Sequence, residues 1–264
     1  MLGTATRFDR LVLVSRPKGE WGAKPLSAEP LARLAREVKA LDATHGGSTT
    51  LRVFAPPRTS APGLSLLTFP SARRLDGLDE SECVEALPAL WAGTAGRPVG
   101  PTLAVCTHGR RDPCCARWGQ PLLTAARALT ESGAWNVIET SHLGGHRFAA
   151  TLLELRPGAP ARMYGRLDAA EAGILLEHLD AGEVWLARYR GRTDLDPEGQ
   201  LVEGAALAAG AKGPIVVESD AEGYLARWPG GALRPRVEMA RFRGPKGCGE
   251  AEAEWTRPVL ASSP

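Results

Sequence analysis

The amino-acid sequence predicts an α/β protein, and three observations support this fold class. Short apolar runs of strand length alternate with longer segments whose apolar residues recur at helical spacing. Clusters of Gly and Pro separate these segments, as turns and loops require. Of the 264 residues, 44% are hydrophobic and 23% are charged, which is typical of a globular protein with a sizeable core. This punctuation divides the chain into three regions.

The first region, residues 1–98, is predicted to be an N-terminal α/β region. A helix is expected over Leu31–Leu41, where the apolar side chains share one face, and Ser27 is its expected N-cap. The Gly- and Pro-containing stretch 93–98 is expected to be a linker. The predicted strands are Leu11–Val14, Thr50–Phe54 and Leu64–Phe69.

The second region, residues 99–195, alternates strands and helices in an informative order. One helix is expected to begin near Cys115 and to end by Gly133, and a second follows Asp168, which can cap it. The order strand, helix, strand, strand, strand, helix is that of a thioredoxin-like α/β domain. The predicted strands are Thr102–Val105, Val137–Ile138, Thr151–Leu155 and Ala161–Tyr164.

The third region, residues 196–264, is predicted to be a small C-terminal extension of helix and strands. Its helix is expected around Leu201–Ala209, and strands are expected at Ile215–Glu218 and Tyr224–Trp228. The tail from Gly244 is expected to be loosely ordered. The sequence shows no internal repeat.

Charge and apolar content exclude several classes of protein. The 32 Lys and Arg against 30 Asp and Glu give a net charge of +2, which argues against nucleic acid or a membrane as the partner. No apolar run approaches the roughly 18 residues of a spanning helix, and the N-terminus lacks a signal-peptide core. A cytoplasmic location is therefore expected. Five cysteines are too few for a secreted disulfide framework, so metal or redox chemistry is the better expectation.

Cysteine and histidine are concentrated in two short clusters. Each cluster follows a predicted strand, and loops after neighbouring strands of one sheet lie at the same edge. Their thiols and imidazoles are therefore expected to converge. The first cluster contains Cys106, His108, Cys114 and Cys115, and the second contains His142 and His146.

Three interpretations compete for this Cys/His group. Two Cys and two His suit a structural zinc ion, although zinc fingers usually hold each Cys pair closer than Cys106 and Cys115 are spaced. A [2Fe-2S] cluster accepts two His in place of two Cys. It is also wider than a single ion, which suits the long spacing between Cys106 and Cys115. Thiol redox chemistry at the start of the helix is the third, but no Cys-x-x-Cys is present.

The two clusters also carry a resemblance to a known family. Residues 106–115 together with Ser141–Ala150 resemble the bacterial branch of the sucrase/ferredoxin-like family, whose members are described as thioredoxin-like [2Fe-2S] ferredoxins. The similarity continues through 164–166 and 188–192 to about Ala209. In the first region only the Trp21-Gly22 turn resembles the family.

The resemblance implies a [2Fe-2S] cluster with two thiolate and two imidazole ligands. By motif position these ligands are Cys106, Cys115, His142 and His146. The family commonly has Asn where this chain has Thr151, which puts a supporting hydrogen bond from that position in question. Residues that could support the ligands from outside the set are His108, Cys114, Arg111 and Gly145.

The function predicted from these features is electron transfer by a non-catalytic carrier. Imidazole ligands can hold or release a proton as the iron changes charge, so electron transfer is expected to be coupled to protonation. The expected partner is another redox protein, either a reductase or an acceptor, and a homodimer is compatible with the sequence. The alternatives are a zinc-stabilised binding protein and a thioredoxin-like thiol oxidoreductase.

Overall fold

The computed structural model describes residues 1–57, 62–130, 133–245 and 251–261. A ten-stranded mixed sheet occupies its centre. In chain order its strands are β1 (Arg10–Ser15), β2 (Thr49–Ala55), β3 (Leu64–Phe69), β4 (Arg73–Leu78), β5 (Arg97–Pro98), β6 (Thr102–Cys106), β7 (Asn136–Thr140), β8 (Leu152–Leu155), β9 (Arg162–Tyr164) and β10 (Tyr189–Arg192).

Five α-helices accompany the strands in the described residues. Side-chain caps begin several of them: Asp112 accepts a hydrogen bond from the backbone of Cys114 at the start of the third, and Asp196 caps the fifth. A capping box at Asp168 begins the 3-10 turn that leads into the fourth. The helices are α1 (Leu31–His45), α2 (Glu80–Trp91), α3 (Pro113–Leu129), α4 (Ala172–Asp180) and α5 (Pro197–Ala208).

The sheet contains the same arrangement twice. The first unit runs β1-α1-β2-β3-β4-α2, and the second runs β6-α3-β7-β8-β9-α4. Within the sheet the first unit has the order β2-β1-β3-β4 and the second has β7-β6-β8-β9. In each unit the pair flanking the first helix is parallel and the later pairs are antiparallel. The second unit has the strand and helix order that the sequence predicted for a thioredoxin-like domain, and the first repeats its topology although the sequence shows no repeat.

The two units join through the carboxyl ends of β2 and β7. These strands are antiparallel, with Phe54 opposite Thr140. Just beyond, the Ser141 amide donates to the Val53 carbonyl at 2.8 Å, and the Val53 amide donates to Ser141 Oγ at 3.0 Å. The predicted boundary between residues 98 and 99 therefore falls between two strands of one continuous sheet.

Side chains alternate between the two faces of the sheet. The helices pack on one face, where each unit has its own apolar cluster. The other face carries a cluster that both units share, including Leu13 and Phe54 of the first and Ala104 and Cys106 of the second. The Gly158 amide donates to the Pro70 carbonyl at 2.8 Å, which joins the equivalent hairpin turns of the two units. Cys106 therefore lies in the apolar cluster between the two units.

The third region is more ordered than expected. It forms a three-stranded sheet of β11 (Val216–Asp220), β12 (Gly223–Trp228) and β13 (Gly231–Leu233), and an antiparallel hairpin of β14 (Val237–Pro245) and β15 (Glu252–Leu260). The expectation of a loose tail from Gly244 is wrong over Glu252–Leu260, because pairs such as Phe242 opposite Trp255 hold a long ladder together. Residues 246–250 and 262–264 of that tail lie outside the described residues.

Two details of the first region also differ from expectation. Ser27 does not cap α1: its hydroxyl donates to the Lys24 carbonyl, and the N-cap is Pro30, which makes no side-chain bond. The helix α2 was not predicted, although a capping box at Asp79 and Glu82 marks its start. The expected linker 93–98 ends in β5, which pairs with β4. None of the described helices is long and apolar enough to cross a membrane.

We expect the close packing of α3 on β6 to be sensitive to one methyl group. A Cβ at Gly119 would lie 2.0 Å from the Cys106 carbonyl oxygen, so Gly119→Ala must push the helix from the strand. Urea denaturation should show a loss of about 2 kcal/mol in the free energy of unfolding. In α4, a Cβ at Gly173 meets nothing within 4 Å, so Gly173→Ala should add up to about 1 kcal/mol. Equal stability of both variants would contradict this packing.

Candidate metal centre

Two loops meet where the parallel strands β6 and β7 end. Cys106 lies opposite Thr140 in their register, so the loop that leads to α3 and the loop that begins at Ser141 leave the sheet side by side. The second loop ends in a 3-10 turn over His146–Phe148, which Gly145 begins in the left-handed conformation with φ 70°. The convergence of the two Cys/His clusters follows from this pairing.

Three of the expected ligands form one compact group. A ligand atom from each of Cys106, Cys115 and His142 lies within 4.8 Å of the other two. The Cys115 sulfur is 3.5 Å from His142 Nδ1. Cys106 and Cys115 are 0% and 1% exposed, and His142 is half-buried. Soft thiolates with imidazole suit zinc or an iron-sulfur cluster far better than magnesium or calcium, so this donor set fits both metal interpretations.

Hydrogen bonds favour negative charge on the Cys106 sulfur. The Cys115 thiol donates to it and lowers the pKa of Cys106, while burial acts in the opposite direction. His142 and the backbone amides of His108 and Leu143 lower this pKa further. The same contact with Cys106, together with burial, raises the pKa of Cys115. The contact therefore favours loss of the proton from Cys106 and its retention on Cys115, and a bound metal would take the place of that retained proton.

His146, the fourth expected ligand, lies beside this group. Its ring centroid is 5.7 Å from that of His142. Its Nδ1 lies 3.2 Å from Asp112 Oδ2, and the other oxygen of Asp112 accepts the Cys114 amide at 2.8 Å. Asp112 thereby ties the start of α3 to the histidine loop. Contacts of this kind between a carboxylate and an imidazole orient ligating histidines.

The residues expected to support the ligands occupy three different settings. Cys114 is disulfide-bonded, so the thiol that faces Cys106 is that of Cys115. Arg111 is exposed on the first loop. A Cβ on Gly145 would lie 2.5 Å from a guanidinium nitrogen of Arg190, so that position requires glycine for space as well as for its backbone conformation.

His108 is a buried structural link, with 2% exposure. Its Nδ1 accepts the His142 amide at 3.4 Å, and its Nε2 therefore carries the hydrogen that it donates to the Gly22 carbonyl at 2.9 Å. Burial lowers the pKa of His108, which favours this neutral form. The edge of Trp21 packs on its ring at 5.6 Å between centroids. The Trp21-Gly22 turn of the first unit thus covers the loop between Cys106 and α3 of the second unit, which is called the metal loop below.

A second contact between the units was not anticipated from the sequence. Thr107 and Gln120 donate hydrogen bonds to the Glu139 carboxylate, and Lys18 of the first unit forms an ion pair with it. Burial acts to raise the pKa of Glu139, and these three partners outweigh it, so the pKa lies below its usual value. The network holds the residue that follows Cys106.

Arg52 is a further residue that sequence patterns did not single out. It lies on β2 next to Val53, the residue bonded to Ser141, and its Nη1 donates to the Leu51 carbonyl at 2.7 Å. Arg52 is half-buried, and its Nε is enclosed without a hydrogen-bond partner among the described residues. Burial lowers the pKa of Arg52, and the nearby Cys106 opposes that shift. The first unit therefore places a half-buried positive charge near Cys106, which would help to stabilise an anionic metal–sulfur group.

The departure at Thr151 leaves one support intact. The Thr151 carbonyl accepts the Cys106 amide at 3.0 Å, so the backbone of this residue holds the ligand strand whatever its side chain is.

Comparisons with known proteins place the chain in a family. The sucrase/ferredoxin-like family model matches residues 1–191, and the chain belongs to this family. The match includes the whole first unit, which the motif resemblance had touched only at Trp21-Gly22. No match was found among curated proteins. A thioredoxin-like [2Fe-2S] ferredoxin from Aquifex aeolicus is similar at 13% identity and a TM-score of 0.31, covering 35% of this chain and 92% of its own.

We expect Lys18→Gln to destabilise the fold in a pH-dependent way. A carboxylate with a lowered pKa contributes stability at neutral pH and loses it as the pH falls through that pKa. The variant should lose about 1 kcal/mol at about pH 7, since Lys18 is partly exposed. The difference from the parent should shrink below about pH 4. Lys24→Gln, at an exposed lysine of the same loop, is the matched control for urea denaturation. A deficit that is the same at both pH values would contradict the role of Glu139.

Proposed function

We propose that this protein is an electron carrier whose [2Fe-2S] cluster is held by Cys106, Cys115, His142 and His146. The observation that supports it most is the buried Cys/Cys/His group at the ends of two parallel strands. His146 lies next to that group and is oriented by Asp112. Membership of the sucrase/ferredoxin-like family adds to this support.

The surroundings of the thiols suit a redox centre with net negative charge. When bound, a [2Fe-2S] cluster supplies reversible one-electron transfer, and hydrogen bonds to its sulfurs tune its potential. The amides of His108 and Leu143 already point at the Cys106 sulfur. The half-buried Arg52 adds a positive charge from the first unit, which would stabilise extra negative charge and favour the reduced state.

The histidine ligands offer a proton site that thiolates lack. Reduction makes the iron less positive and so favours protonation of an imidazole nitrogen that does not bind it. The Asp112 carboxylate beside His146 Nδ1 can hold that proton. The signature of this coupling is a midpoint potential that falls as the pH rises, with a limit of about 59 mV per pH unit for one proton and one electron.

A thiol oxidoreductase agrees less well with the geometry. Such an enzyme needs an accessible thiolate, whereas Cys106 and Cys115 are both buried. A zinc-stabilised binding protein would use the same residues. The two functions therefore have to be distinguished by which metal the protein and its variants bind.

Ligand substitutions test the proposal directly. Cys106→Ser and Cys115→Ser should each lose most of the visible absorption and most of the iron and sulfide. His142→Cys and His146→Cys should retain a cluster with a changed spectrum and a lower potential, because an all-Cys cluster has the lower potential. Visible spectra with iron, sulfide and zinc analysis are the measurement.

Two cysteines outside the ligand set provide controls. Cys83→Ser, at a buried free cysteine of the first unit, should leave the cluster unchanged. Cys114→Ser should retain it as well. Loss of the cluster in Cys114→Ser with retention in Cys115→Ser would overturn the ligand assignment, and zinc without iron in the parent protein would overturn the function.

A further inference from the structure

Three arginines surround the ring of Phe148, the last residue of the turn that His146 begins. The guanidinium carbons of Arg190, Arg147 and Arg166 lie 4.7, 4.8 and 5.7 Å from the ring centroid. Arg147 also lies 5.1 Å from the ring of Trp255 on β15. Arg257, two residues further along β15, adds a fourth positive charge. These four arginines are called the arginine patch below.

The arginine patch lacks the acidic partners that other arginines of this chain have. Arg188 pairs with Glu171, and Arg192 pairs with Asp194. Within the described residues, no ion pair joins any arginine of the patch to a carboxylate. The guanidinium of Arg190, the buried member of the patch, donates to neutral groups in the described part of the chain, namely Thr4 and the carbonyl of Gly144. The aromatic faces stabilise part of this positive charge but do not neutralise it.

The like charges are close enough to affect one another. Arg147, Arg166 and Arg190 share the ring of Phe148, and Arg257 and Arg166 lie near enough to Arg147 for their charges to repel it. Burial lowers the pKa of Arg190 to about 9, with a smaller effect from Arg147. An anion brought to the patch would relieve this repulsion, so the patch favours negatively charged ligands.

Arg188, Arg190 and Arg192 alternate in the sequence at β10, but they do not form one exposed basic face. In the structure Arg188 and Arg192 are paired with acids, and Arg190 is buried. The patch instead combines Arg190 with residues from three other segments of the chain, and the exposed Arg166 is one of them.

We propose that the arginine patch is the docking surface for an acidic face of the redox partner protein. This inference rests on the proposed electron-carrier function and names the chemistry of its partner. The patch adjoins the metal site through the His146–Phe148 turn, so a partner seated there lies close to the ligand loops. Arginine and aromatic side chains are enriched at protein interfaces, and complementary charge speeds encounter.

A charge-removing double variant tests the docking surface without altering the histidine turn. Arg166→Gln/Arg257→Gln removes two charges, and Arg166→Lys/Arg257→Lys keeps them. The matched control, Lys39→Gln/Arg127→Gln, removes two exposed charges from α1 and the far end of α3. The first probe is a short fluorescent poly-glutamate peptide, measured by anisotropy at low and high salt. This probe requires no cluster.

The second probe measures electron transfer itself. The reduced protein is oxidised in a stopped-flow instrument by ferricyanide, an anion, and by hexaammineruthenium(III), a cation. At low salt the Gln variant should bind the peptide about tenfold more weakly, and ferricyanide should oxidise it about tenfold more slowly. Its rate of oxidation by the ruthenium complex should not fall. The Lys variant and the control should behave like the parent protein, and salt should diminish every difference.

The outcomes separate this inference from the proposed function. A protein that lacks iron but shows the expected peptide binding would remove the electron-carrier function and retain an acid-binding surface. An equal loss in the control variant, or no loss in the Gln variant, would overturn the docking surface. A third outcome would also overturn the docking surface. In that outcome inorganic pyrophosphate stabilises the parent protein but not the Gln variant, and the peptide binds both equally. The patch would then be a site for a small anion.

Discussion

The structure depends on the pairing of two short strand ends from different units. β2 and β7 meet only over their last residues, and the bonds between Val53 and Ser141 extend this contact into the histidine loop. Because the two strands run in opposite directions, both units bring the loops after their parallel strands toward the same junction. The metal group of the second unit is therefore built next to the first unit and not at a free edge.

This junction explains how a buried thiolate is compensated by hydrogen bonds and positive charge. Burying a thiolate raises its free energy unless hydrogen bonds or positive charges compensate it. The second unit supplies two backbone amides to Cys106, and the first supplies the half-buried guanidinium of Arg52. The first unit also covers the metal loop with Trp21 and anchors it through Lys18. The first unit therefore contributes residues that surround the Cys/His group, while the second unit contributes the group itself.

The sequence was sufficient for the second unit because its signals are local. The apolar run of β6 and the two Cys/His clusters each occupy a few consecutive residues, and they predicted the strand and the convergence of the clusters. The cap at Asp112 is a local signal of the same kind, although it was not used. Arg52 and Lys18 lack such a signal, since each lies far along the chain from the loop it supports and looks like an ordinary surface residue. The hairpin of β14 and β15 was missed for a related reason: its stability comes from cross-strand pairs, and its glycines suggested a loose tail.

The most direct test is an anaerobic visible spectrum of freshly purified protein, with iron and acid-labile sulfide measured on the same sample. We expect a reddish-brown protein with about two irons and two sulfides per chain. A colourless protein that contains zinc, and that stays colourless after anaerobic cluster reconstitution, would contradict the account and leave a metal-binding protein without redox function.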